Sequence, residues 1–94
     1  MTRYKVRDVD RALVGKLGFE KHDTHHHVYR LRLDGQLVVR TFISHGEREL
    51  GPFLADKIAK QIRLRMSEFD DAVNCPLSQE AYYQLLRQRL SGKH

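Results

Sequence analysis

The 94-residue sequence has one cysteine, Cys75, and no long apolar run. A single cysteine cannot form an internal disulfide, and this usage is typical of proteins from a reducing compartment. No apolar run approaches the roughly 18 residues of a membrane-spanning helix, and the N-terminus is charged, with no apolar signal region. We therefore expect one cytoplasmic domain, spanning residues 1–94, that does not enter a membrane.

Several motifs of metal and nucleophilic enzymes are also missing. The chain has no Cys-x-x-Cys, His-Glu-x-x-His, Gly-x-Ser-x-Gly or Gly-rich phosphate loop, and it lacks an acidic cluster. Ser44, Ser67 and Ser78 stand where helix or turn caps are expected, and Cys75 beside Pro76 is interpreted as a buried spacer. The sequence thus predicts no metal centre, no cofactor and no serine or cysteine nucleophile.

The whole chain has a formal net charge of +5, and its positive charge is concentrated in the first two-thirds. Residues 1–65 hold 14 Lys/Arg against 8 Asp/Glu, whereas residues 66–94 hold 3 against 4. A basic body is typical of nucleic-acid-binding proteins. It is also common in small proteins that only need to remain soluble, so charge alone leaves both interpretations open.

The first element predicted is a helix over Asp8–Leu17, with Asp8 as its cap and Gly18 as the left-handed residue that ends it. Its apolar stripe consists of Val9, Ala12, Leu13 and Leu17. Phe19 then returns to the core and begins a strand, Phe19–Asp23.

Two longer strands are predicted next, because apolar residues now recur at every second position. In the first, Tyr29, Leu31 and Leu33 alternate with Val28, Arg30 and Arg32. In the second, Gln36–Ile43, the residues Leu37, Val39, Thr41 and Ile43 alternate with Val38, Arg40 and Phe42. Asp34-Gly35 between them is a strong hairpin signal. Together with Phe19–Asp23, these strands predict a three-stranded antiparallel sheet.

Three arginines of this sheet, Arg30, Arg32 and Arg40, are expected on the face turned away from the helices. One interpretation is a solvated outer face, which any one-sided antiparallel sheet has. The other is a surface that contacts phosphate groups. The sequence leaves both interpretations open.

The last third of the chain reads as three helices. Pro52 can open the first, with a stripe of Phe53, Leu54, Ile58 and Ile62. Ser67, with Asp70 three residues on, is expected to cap the second. Pro76 marks a break, after which Ser78 begins a Tyr/Leu-rich helix that we expect to pack within the chain. The prediction is an α+β fold: an α-β-β-β-α core at 1–65, with helices on one face of the sheet, and a helical extension at 66–94.

Histidine is clustered, since four of the six histidines lie between His22 and His27, and His45 follows the third strand. Because strand side chains alternate, we expect His25 and His27 to share one face while His26 points to the other. Three interpretations are open: a metal site, which the missing ligand motifs and the diverging strand histidines disfavour, a polar hairpin entrance, and a general acid–base site. The third needs only one imidazole on a basic sheet, because RNA supplies its own 2′-hydroxyl nucleophile.

The residues and their order resemble those of the HicA toxin family over roughly residues 5–65. The similarity rests on Leu17-Gly18-Phe19, His26-His27-Val28-Tyr29-Arg30, Ser44-His45, and Leu50 with the helix through Ile58 to Leu64. The resemblance implies a fold like the double-stranded-RNA-binding domain. It also implies an mRNA endoribonuclease activity, as the toxin of a toxin–antitoxin pair that a HicB-like antitoxin binds and masks.

Site residues follow from the same resemblance. His26, with Tyr29 three positions on, corresponds to the catalytic histidine, and His45 to a second histidine after the third strand. Thr24-His25 stands where the family has Gly-Ser, so His25 stays a rival candidate. Residues proposed to contact RNA phosphates are Lys21, Arg30, Arg32 and Arg40. The alternative is a non-catalytic nucleic-acid-binding or protein-interaction module with the same fold.

Overall fold

A computed structural model describes residues 3–74 and 77–91, and these form the α+β fold that the sequence predicts. The strands are β1 (Tyr4–Lys5), β2 (Glu20–Asp23), β3 (His26–Leu33), β4 (Gln36–Ser44) and β5 (Glu49–Leu50). The helices are α1 (Val6–Asp10, continued by a π-helical segment at Arg11–Lys16), α2 (Pro52–Gln61), α3 (Met66–Val73) and α4 (Gln79–Ser91). Within these ranges no helix has the length and apolarity to cross a membrane. The interpretations of Cys75 and Pro76 lie outside the described residues.

Helix α1 starts earlier than predicted, at Val6, and Asp8 is not its cap. The reason is a short strand that the sequence did not reveal. β1 pairs with β5, and the amide of Val6 donates to the carbonyl of Arg48 at 2.9 Å, so the chain leaves the strand directly into the helix. Asp8 instead lies in the first turn, where it pairs with Arg11 at 3.2 Å. The predicted apolar stripe is buried, and Gly18 ends the helix at φ +82°.

The main sheet is antiparallel with strand order β2-β3-β4, as predicted. Asp34 and Gly35 join β3 to β4 with φ angles of 55° and 82°. Two successive left-handed residues define the turn type that matches the twist of a tight hairpin. The Asp34-Gly35 signal is therefore confirmed.

A β-bulge in β4 changes the face of one predicted core residue. Leu31 pairs with Val39, but Arg32 pairs with Leu37, so Val38 is an extra residue. The bulge moves Leu37 to the outer face, where it is 48% exposed. The prediction that Leu37 shares a face with Val39 is thus wrong.

One face of the sheet is buried under the helices. Its core residues are Tyr29, Leu31, Leu33, Val39, Thr41 and Ile43. Thr41, the one polar residue among the buried positions described, donates its hydroxyl proton to Oε1 of Gln61 at 2.6 Å. A buried hydroxyl needs such a partner, and this hydrogen bond ties β4 to the end of α2.

Helices α2 and α3 differ from the predictions in one detail each. Pro52 opens α2 as expected, but Phe53 is 83% exposed, because the buried stripe runs through Ala55, Ile58, Ala59 and Ile62. Phe53 falls outside that spacing. α3 begins with Arg65 as its cap rather than Ser67, and Glu68 accepts a hydrogen bond from the Arg65 amide at 2.8 Å. The Ser67–Asp70 cap is therefore wrong by two residues.

The C-terminal helix packs into the domain, as predicted. Ser78 caps α4 by accepting a hydrogen bond from the amide of Ala81 at 3.1 Å. Tyr82 and Leu86 are completely buried, and Tyr82 stacks beside Phe19 with ring centroids 6.1 Å apart. The extension thus contributes to the same core as the sheet.

Candidate acid-base site and RNA surface

The candidate histidines lie at one end of the main sheet. There β2 ends at Asp23, β3 begins at His26, and β4 ends at Ser44. His26 pairs with Ser44, and the next residue, His27, pairs with both Ile43 and Asp23. Because consecutive strand residues point to opposite faces, His26 and His27 lie on different sides of the sheet.

On the inner side, Asp23, His27 and His45 form a cluster, which we call the acid-base cluster. Nδ1 of His27 lies 2.6 Å from Oδ1 of Asp23, and the ring centroids of His27 and His45 are 4.2 Å apart. The His27 side chain is 21% exposed, so the imidazole is partly shielded yet reachable from solvent. This is the geometry of a histidine whose orientation a carboxylate fixes.

The carboxylate of this cluster stays ionised. The hydrogen bond from His27 lowers the pKa of Asp23, and the positive charge of Lys21 adds to the effect. An ionised Asp23 can only accept, so Nδ1 of His27 carries the proton and Nε2 is the nitrogen left for proton transfer.

His45 is held in a corresponding way. Its Nε2 lies 2.9 Å from the carbonyl oxygen of Thr24. A carbonyl can only accept, so this nitrogen is the donor and Nδ1 is the second functional nitrogen of the ring. The two hydrogen bonds orient two neighbouring imidazoles at the open end of the sheet.

His26 lies on the outer face, where its ring stacks on Phe42 with centroids 5.4 Å apart and planes at 30°. His25 is in the turn between β2 and β3 and is exposed. The prediction that His25 and His27 share a strand face is wrong, because β3 begins only at His26. Of the three candidate catalytic histidines, the structure therefore brings His45 to His27 and puts His26 on the other side of the strand.

The three predicted arginines share the outer face. Arg30 pairs directly with Arg40 across β3 and β4, and Arg32 lies two residues further along β3. Oε1 of Glu20, in β2, lies 3.7 Å from Nε of Arg32 and 3.7 Å from Nε2 of His22. This face therefore has an excess of positive charge.

Lys21 lies on the inner side instead, away from these arginines. Its ammonium group is 2.8 Å from Oδ1 of Asp10, and the Tyr29 hydroxyl donates to the same oxygen at 2.8 Å. Burial, and then the hydrogen bond to Asp10, raises the pKa of Tyr29. The charge of Lys21 is thus already matched by a carboxylate of α1.

Sequence reasoning missed Asp23 and His27 as site residues. The available signal was the turn between them: a hairpin loop at Thr24–His26 would make Asp23 and His27 cross-strand partners. Over residues 3–74 and 77–91, no three or more His, Cys, Asp or Glu residues are grouped so that they could hold a metal ion. No protein-family model matches the chain, and neither a curated protein nor a solved structure gives a significant match.

Proposed function

We propose that this domain is an RNA endoribonuclease that works by general acid–base catalysis and needs no metal ion. The observation that supports it best is the acid-base cluster, in which Asp23 orients His27 beside His45. Histidine is the side chain whose ordinary pKa suits proton transfer near neutral pH. The basic charge of residues 1–65 suits a polyanionic substrate.

The chemistry would use the nucleophile that RNA itself carries. One imidazole takes the proton from a ribose 2′-hydroxyl, whose oxygen forms a bond to the adjacent phosphorus. The bond from phosphorus to the 5′-oxygen breaks, and the second imidazole, which must start in its cationic form, protonates that oxygen. The products are a 2′,3′-cyclic phosphate and a 5′-hydroxyl, and proton exchange between the imidazoles and water restores the starting state.

The resemblance to HicA toxins leads to the same activity but to a different residue. It implies His26 as the catalytic histidine, whereas the hydrogen-bonded cluster favours His27 with His45. The two assignments differ by one residue and by the face of the sheet. Substitution of single histidines separates them.

The test is cleavage of an mRNA by purified protein in EDTA. We expect His27→Ala and His45→Ala to lower kcat by about 10²- to 10⁴-fold, the usual contribution of a general acid or base. His22→Ala is the matched control, because His22 is an exposed strand histidine outside the cluster. Far-ultraviolet circular dichroism of each variant checks the fold.

Two results would change the proposal. Loss of cleavage in His26→Ala, with kcat unchanged in His27→Ala, would move the chemistry to the residue that the HicA resemblance implies. Absence of cleavage by the folded wild-type protein would leave the alternative, a non-catalytic nucleic-acid-binding or protein-interaction module.

The proposal extends to a partner and a location. An mRNA-cleaving toxin of this kind would act in the cytoplasm and be masked by a HicB-like antitoxin. Co-expression with a HicB-type protein from the same genetic neighbourhood should then relieve growth arrest caused by the wild-type chain. The His27→Ala variant should need no such relief.

A further inference from the structure

We infer that the outer face of the sheet binds single-stranded RNA, with bases stacked on His26 and Phe42 and phosphates held by Arg30, Arg32 and Arg40. We call these five residues the RNA platform. The inference rests on the proposed function, because it names the form of RNA that the acid-base cluster would receive. Its own support comes from ring stacking, charge and exposure.

The aromatic part of the platform is already arranged for a base. His26 and Phe42 lie diagonally across β3 and β4 and stack at 5.4 Å, and Phe42 is 41% exposed. Aromatic side chains on an open sheet commonly stack nucleotide bases, and every base has a face to offer. A third ring placed on this pair would extend the stack and cover exposed apolar surface.

The arginines of the platform carry charge that the fold does not fully balance. Arg30 has two direct cross-strand partners, Glu20 on β2 and Arg40 on β4, and the Arg30–Arg40 pair is a like-charged arrangement that destabilises a sheet. Nε of Arg30 is buried without a hydrogen-bond partner among the residues described here. Glu20 approaches Arg32 at 3.7 Å, too far for a hydrogen bond. A phosphate group near the Arg30–Arg40 pair would relieve this repulsion.

The stacking pair favours a single strand over a duplex. In an A-form duplex the bases are paired and stacked inside the helix, so an aromatic ring on a flat sheet cannot reach their faces. In a single strand the faces are available. The platform therefore implies that the substrate is unpaired where it is bound.

The platform also leads to the acid-base cluster. His26, at one end of the platform, is followed directly by His27, whose side chain reaches the inner side of the same strand end. An RNA strand lying along β3 and passing over this end would bring its next phosphodiester to His27 and His45. Binding and chemistry are thus assigned to adjacent residues on opposite faces.

The experiment measures binding of a 2′-O-methyl oligonucleotide, which cannot be cleaved, as a single strand and as a duplex with its complement. Fluorescence anisotropy should show tighter binding of the single strand. Phe42→Ala should weaken it about 5- to 100-fold, as expected for loss of one stacked base, and Phe42→Tyr should restore it. Phe53→Ala is the control, because Phe53 is exposed on α2, outside the platform.

Salt dependence tests the arginines separately. Arg40→Ala should reduce the slope of log K against log salt concentration by about 0.7, the value for one phosphate contact with a single strand. The inference is overturned if wild type shows no single-strand binding, if the duplex binds as well as the single strand, or if folded Phe42→Ala binds like wild type. The probe cannot be cut, so the binding experiment does not depend on catalysis. Single-strand binding without mRNA cleavage would therefore refute the nuclease proposal and leave the platform inference standing.

Discussion

Nδ1 of His27 lies 2.6 Å from Oδ1 of Asp23, its antiparallel partner across β2 and β3. The pairing register therefore produces an oriented imidazole directly, without help from a distant part of the chain. His45, brought in by the end of β4, then places a second imidazole against the first.

Asp23 is expected to act as a positioning residue for His27. Asp23→Asn replaces an acceptor-only carboxylate with an uncharged amide that can also donate, so the His27 tautomer is no longer fixed, and kcat for RNA cleavage should fall by about tenfold to a hundredfold with KM little changed. Asp34→Asn, an exposed substitution at the other end of β3, is the control. If instead KM rose by the same factor in Asp23→Asn while kcat stayed unchanged, Asp23 would contribute to RNA binding rather than to positioning His27.

Glu68 should make stability depend on acid pH. Two hydrogen bonds from Arg89, at 2.8 Å each, and one from the Arg65 amide lower the pKa of Glu68 from 4.5 to about 2. Since the folded-state pKa is depressed, the stabilisation is complete above about pH 5 and is lost as pH falls towards 2.

We therefore expect Glu68→Gln to lower the free energy of unfolding by about 2 kcal/mol at neutral pH, measured by urea denaturation. The difference from wild type should shrink progressively below about pH 5. Glu47→Gln, at an exposed loop position, should show no such pH-dependent difference. A difference that stays constant down to about pH 2 would contradict the role assigned to the carboxylate.

The hairpin turn allows a clean test of backbone strain. A Cβ atom added at Gly35 or at Gly46 would meet no atom within 4 Å, but only Gly35 has a left-handed φ, +82°. Gly35→Ala should therefore destabilise the domain by about 1 kcal/mol through the backbone alone. Gly46→Ala should be close to neutral in the same thermal unfolding experiment. Equal effects of the two substitutions would disprove this explanation.

Two tyrosines of α4 should differ in their contributions to stability. The Tyr82 hydroxyl is buried and donates to the Ile62 carbonyl at 2.9 Å, whereas the Tyr83 hydroxyl is part-buried and donates to the Leu17 carbonyl at 3.0 Å. Tyr82→Phe leaves a buried acceptor unpaired and should cost about 1–2 kcal/mol in urea denaturation. Tyr83→Phe should cost less, because the Tyr83 hydroxyl is only part-buried, and the reverse order would contradict the burial argument.

Local signals predicted the elements that depend on few residues. Asp34-Gly35 identified the hairpin, Pro52 the start of α2, and Ser78 the cap of α4, because each acts through its own backbone or its nearest neighbours. The outer position of Arg30, Arg32 and Arg40 followed from strand alternation in the same way.

Tertiary pairing decided the features that were missed. The bulge at Val38 depends on how β4 aligns with β3, and it moved Leu37 to the outer face. The early start of α1 depends on β1 pairing with β5, some 45 residues away in the chain. Likewise, the pairing of His27 with Asp23 depends on which residues form the turn between β2 and β3. Periodicity carries no information on any of these alignments.

The hydroxyl of Tyr4 donates to Asp70, and that of Tyr83 to the Leu17 carbonyl, each across 66 residues of sequence. Contacts so distant in the chain form only after most of it has been synthesised. Phe19 and Leu17 in the first third must therefore wait for α4 before they are covered. A nascent chain exposes this apolar surface throughout elongation, so the time between synthesis of β4 and release of α4 is when the domain is most open to aggregation and proteolysis.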